Sequence, residues 1–211
     1  MRRNGRVALE TARDLPYAAA RMLTVADESF MTWLGERGIA LDPRYPQGWE
    51  HLVYRNAVDE WAEWDLPPAP SDLPGFVAAA LRAASPAGPY WVYPRTRGVW
   101  HIDADAPPAA RAVAGIRRAA GVPDGFVGAL GLDARELSQL WMLLSAAFVF
   151  SDPRIQDLYV VPDDGSCVLM TCQHDELHVQ FRDPERREAF TSAMAASGFE
   201  LPSDAEDVDA E

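Results

Sequence analysis

The chain has 211 residues, 48% of them hydrophobic and 24% charged, with a formal net charge of -13. That charge disfavours a nucleic-acid binder, which needs a cationic footprint to displace counterions, and it disfavours docking on an anionic membrane surface. The length suits one domain with a sizeable core, and two cysteines are too few for a disulfide framework.

The 19 basic residues are all arginine, which together with abundant alanine fits the codon bias of a GC-rich bacterial genome. The first residues have early arginines, but Glu10, Arg13 and Asp14 interrupt any apolar stretch, so no signal peptide is expected. The most apolar run, Leu140 to Phe150, is shorter than the ~20 residues that span a bilayer. The expectation is a cytoplasmic protein.

In chain order, Asp27 opens a helix through Phe30, Trp33 and Leu34 that ends near Gly38. After the loop LDPRYPQGW, the stretch HLVYRNAVDEWAEW places Tyr54, Ala57, Val58 and Trp61 at helical spacing, with Arg55, Asp59, Glu60 and Glu63 outward. LPPAPSD breaks that pattern and marks a sub-boundary near 66–72. Asp72 and Pro74 open a helix carrying Phe76, Val77, Ala80 and Leu81. PYWVYPRTRGVWHIDAD reads as a hairpin, and PPAARAVAGIRRAAG as a helix closed by Gly121. Asp133 and Glu136 start a helix to about Phe150 that is apolar on nearly every face, as a central buried helix is.

The pattern then switches to period two. DLYVV, SCVLMTC and LHVQF read as three strands separated by PDDG and QHDE. Asp183 and Pro184 cap a last helix closed by Gly198. The predicted fold class is α+β: a helix-rich N-terminal half, a central buried helix, and an antiparallel three-stranded meander followed by a C-terminal helix. A single domain is expected over 1–202, with a disordered acidic tail over 203–211.

The stretch TCQHDELHVQF concentrates His174, Asp175, Glu176 and His178 beside Cys172. His174 and His178 have the four-residue spacing of helical zinc proteases, but the order is not H-E-x-x-H and both flanks are strand-like. With QHDE as a four-residue turn, Cys172 pairs with Leu177, Met170 with Val179 and Val168 with Phe181. One face is then apolar, and Cys172 and His178 fall on opposite faces. Zinc needs its ligands within ~2.3 Å of one point, so a turn between strands is expected and no metal or cofactor.

GVWHIDADAP places His101, Asp103 and Asp105 on one strand face and Trp100 on the other. Alternating His and Asp can hold a metal or orient a base, although a solvent face needs the same alternation. His51 reads as a surface or cap residue, and Arg95 and Arg97 as solvated turn arginines. The glycines of GFVGALG read as preceding a helix, with no strand leading in and hence no phosphate cradle. No nucleophile elbow, Walker loop or dinucleotide fingerprint is present.

These features point to an acidic protein-binding module without catalytic activity. In size, charge and lack of motifs it is similar in general type to cytoplasmic immunity proteins that occlude basic toxin enzymes. Trp61, Trp64 and Trp100 are the candidate anchors, with His101, Asp103, His174, Glu176 and His178 as polar contacts and a basic protein as partner. The alternative is a small hydrolase or metal-assisted enzyme using His101, Asp103, His174, Glu176 and His178.

Overall fold

The computed structural model describes residues 23–45, 51–55, 61–67, 69, 71–85, 88–95, 98, 100, 122–123, 125–132, 158–172 and 176–201. In chain order these form β1 (Leu23–Ala26), α1 (Asp27–Glu36), β2 (Ile39–Leu41), β3 (Leu52–Tyr54), β4 (Ala62–Asp65), α2 (Leu73–Ala84), β5 (Tyr90–Pro94), β6 (Gly128–Leu132), β7 (Leu158–Pro162), β8 (Cys167–Cys172), β9 (Glu176–Phe181) and α3 (Pro184–Ala196). Seven strands make one sheet in the order β1-β6-β5-β7-β8-β9-β4, and β2 and β3 pair separately. All the pairings are antiparallel.

This corrects the expected helix-rich architecture. The predicted helix over HLVYRNAVDEWAEW is replaced at its two ends by β3 and β4. In β4, Ala62 and Trp64 are buried while Glu63 and Asp65 are exposed, which is period two rather than 3.6. Of the predicted hairpin over PYWVYPRTRGVWHIDAD, the first run forms β5. β5 pairs with β6 over Tyr90–Val92 and with β7 over Tyr90–Pro94, and apart from Trp100 the second run of that hairpin lies outside the described residues. Trp100 donates from Nε1 to the Gly128 carbonyl at 2.9 Å. GALGL, read as leading into a helix, is the interior strand β6. The three-stranded meander does form, as β7-β8-β9, but inside a larger sheet. The expected helices over 107–121 and 137–150 and the acidic tail lie outside the described residues.

Glycine lets β6 sit there. Gly131 is the cross-strand partner of Trp91, and a Cβ on it would lie 2.6 Å from Trp91 Cζ3. The indole therefore lies where a side chain would otherwise stand. Gly128 has φ 142°, and a Cβ there would meet the Val25 carbonyl oxygen at 2.1 Å.

Both faces of the sheet are covered, so β5, β6 and β7 are buried throughout. On one face α2 and α3 pack over Trp64, Tyr90, Val92, Leu130, Val160 and Val179, and Phe190 of α3 meets Trp64 and Phe181 at ring distances of 5.3 and 5.2 Å. The other face carries Trp91, Tyr93, Tyr159, Val161 and Met170 under α1 and the β2–β3 pair. There Phe30 stacks on Trp33 at 5.4 Å and lies 5.0 Å from Tyr93. Two hydrogen bonds anchor β3 to the sheet. The Tyr54 amide donates to Oε1 of buried Gln180 at 2.9 Å, and the Tyr54 hydroxyl donates to the Gly165 carbonyl at 2.8 Å.

The helix signals in the sequence hold for α2 and α3. Pro stands in the first turn of each, where its missing N–H costs nothing. Asp183 caps α3 by accepting from the Arg186 amide at 2.9 Å. Asp27 does not cap α1; its carboxylate accepts from the Tyr93 hydroxyl at 2.5 Å. No helix among the described residues is long and apolar enough to cross a membrane.

Candidate functional site

The β8–β9 register differs from the expected one. Cys172 pairs with Glu176, Met170 with His178 and Leu169 with Val179, so residues 173–175 connect the strands and Glu176 belongs to β9. The proposed separation of Cys172 from His178 does not hold, because Cys172 has the same parity as Met170, the partner of His178. The physical reason is that both sheet faces are covered here. Leu177, Val179 and Phe181 bury themselves under α3, while Met170 and Val168 bury themselves on the other side. An apolar residue is accommodated on either face, so hydrophobic alternation selects neither register.

The true register assembles a cluster at the β4–β9 end of the sheet. Glu63 of β4 is the direct partner of His178, and Asp65 of Glu176. Glu176 lies two residues before His178 on the same strand and so on the same face. His178 Nδ1 lies 3.0 Å from Glu63 Oε1, and its Nε2 lies 3.0 Å from Glu176 Oε2. His178 thus stands between two carboxylates, one beside each ring nitrogen. His178 is 14% exposed, Glu176 31% and Glu63 55%, so the cluster grades from half-buried to open.

A row of rings leads away from it. Trp61 meets His178 edge-on at 6.3 Å, His51 meets Trp61 edge-on at 6.4 Å, and Tyr45 stacks on His51 at 3.8 Å. Tyr45 is 41% exposed, one of two large hydrophobics this open among the described residues. Its loop is fixed by Asp42, whose amide donates to the His51 carbonyl at 2.7 Å and whose carboxylate accepts from Arg44 at 2.6 Å. The Arg44 guanidinium holds the Asp42 carboxyl below its ordinary value. Arg95 donates from Nη2 to His51 Nε2. Burial, and then the Arg95 charge, push His51 down to about 4, so at neutral pH this ring is the uncharged acceptor.

The predicted site residues divide accordingly. Glu176, His178 and Trp61 come together. Trp64 points to the opposite face and is 1% exposed, so it is a core residue and not an anchor. Trp100 packs against that same core, away from the Glu176–His178 face. His101, Asp103 and His174 lie outside the described residues. Three members were not singled out as site residues. Glu63 read as a solvated helix position, His51 as a cap, and Tyr45 as a loop residue. The alternation Ala62-Glu63-Trp64-Asp65 was the available signal for Glu63.

Compared with protein-family models, with curated proteins and with solved structures, the chain shows no match. The site must therefore be interpreted from its own chemistry.

Proposed function

We propose that the chain is a non-catalytic binding module for a basic protein partner, of the inhibitor or immunity type and acting in the cytoplasm. The observation that carries this is the juxtaposition of exposed Tyr45, stacked on His51, with the carboxylates beyond Trp61. Aromatic rings are the usual anchors of interfaces because they bring much contact area at low entropic cost. Tyr45 and the half-buried Trp61 replace the buried Trp64 in that role. Glu63, Asp65 and Glu176 lie beside them on the outermost strand pair, where carboxylates attract and orient a cationic surface. The net charge of -13 speeds encounter with such a partner and makes the rate depend on salt.

The test is charge reversal at the rim. A partner retained by the wild-type chain should be lost to the triple variant Glu63→Lys, Asp65→Lys, Glu176→Lys and to Tyr45→Ala. Its association rate should also fall steeply as salt is raised. Equal retention by the wild type and both variants would place the interface elsewhere and remove this reading.

A further inference from the structure

We propose that Glu63, Glu176 and His178 form a divalent transition-metal site, with zinc the best-suited ion. The site uses two of the carboxylates assigned above to the partner-facing rim, and its test does not require the partner. One ligand atom from each residue can be chosen so that all lie within 4.8 Å of one another. Three atoms so placed share a point at most about 2.8 Å from each, beyond the ~2.0–2.2 Å of zinc–nitrogen and zinc–oxygen bonds. Side-chain rotation alone can close the remainder, because the backbone positions are already set by the β4–β9 ladder.

The donor set decides the ion. One imidazole with two carboxylates is too nitrogen-rich for calcium or magnesium, and it lacks the thiolates that select softer ions. Three protein ligands with an open fourth position describe a zinc centre accessible to a further ligand. Glu63, at 55% exposure, is the open side. Two ligands come from one strand at i and i+2 and the third from directly across, so the set is held by rigid elements rather than a loop.

A second observation comes from charge. Asp65 and Glu176 are direct cross-strand partners, and like charges in that relation are destabilising. Glu63, on the same edge, adds a third carboxylate. A dication bound to Glu63, Glu176 and the neutral imidazole of His178 offsets the charge of these carboxylates.

Tag-free, metal-stripped chain titrated with zinc against a chromophoric chelator tests this directly. One zinc per chain is expected. Glu63→Gln and Glu176→Gln should each weaken it about tenfold or more, whereas Asp72→Asn, at an exposed carboxylate just before α2, should not. Circular dichroism must show the variants folded, and the mainly exposed Glu63 keeps at least that variant informative. Manganese, followed by its electron-spin resonance signal, should occupy the same site more weakly. Absence of saturable zinc binding, or stoichiometric binding undiminished in the Glu63→Gln, Glu176→Gln double variant, overturns the proposal.

Discussion

His51 shows how the fold sets the chemistry of a single side chain. Its ring lies between Tyr45 and Trp61 and accepts from Arg95, so both burial and a neighbouring cation oppose its protonation. In the unfolded chain it titrates near 6.5, and in the fold at about 4. As pH falls below about 6.5 the unfolded state takes up a proton that the folded state refuses. Stability should therefore decline between about 6.5 and about 4, and this contribution then levels off. Asp42 and Asp183 have lowered folded values, so the stability they contribute is lost only at lower pH. Urea denaturation at pH 7.5 and pH 5 should show the wild type losing stability, and His51→Phe, which keeps a ring against Tyr45, losing less. Equal losses would mean that His51 is not responsible. Gly131 makes a related point. The indole of Trp91 is tethered through Nε1 to Asp163 at 3.0 Å and cannot withdraw freely from a new methyl group. Gly131→Ala should cost about 1–3 kcal/mol by overpacking in chemical denaturation, and less in a Trp91→Leu background. An equal cost in both backgrounds would show that the clash lies elsewhere.

At the scale of elements, what could be read from sequence followed the length of each element and the clarity of its ends. Helices α1, α2 and α3 were legible because apolar spacing and turn-forming residues agree on them. Strands β7, β8 and β9 were legible because Leu158–Pro162 and its successors carry β-branched runs between turn signals. Strands β3 and β4 were not. Each has three or four residues, so the alternation Ala62-Glu63-Trp64-Asp65 was outweighed by the longer helical spacing of Tyr54, Ala57, Val58 and Trp61. Strand β6 was hidden by its glycines, which are depleted in strands generally and are used here to admit Trp91. Of the site, Glu176, His178 and Trp61 were visible as candidates. Their assembly was not, because it depends on a one-residue choice of register that two covered faces leave open. The cap of α3 offers a quantitative check on the part that was legible. Asp183→Ala removes the acceptor for the Arg186 amide and should lower stability by about 1 kcal/mol, measured by denaturant midpoint. Asp72→Ala should cost less, since Asp72 makes no such side-chain cap. A reversed order of the two losses would contradict the capping geometry.

For the whole molecule, strand order matters more than strand content. The interior of the sheet, β6-β5-β7-β8-β9, comes from the later part of the chain, and both outer strands, β1 and β4, come from the earlier part. Beside β4, the Tyr54 amide reaches Gln180 across 126 residues of sequence. Ribosomes release a chain from its N-terminus, so β4 emerges long before β9 exists to receive it. Closing such a large loop has an entropic cost that must be met before any contact rewards it. A nascent chain can therefore complete its central strands only late in synthesis, and Glu63 waits throughout for His178. The same ordering acts as a built-in completeness check. A product that stops short of β9 can carry Tyr45, Trp61 and Glu63 and still lack Glu176 and His178, so under the proposed function prematurely terminated chains would not compete with finished ones for the partner.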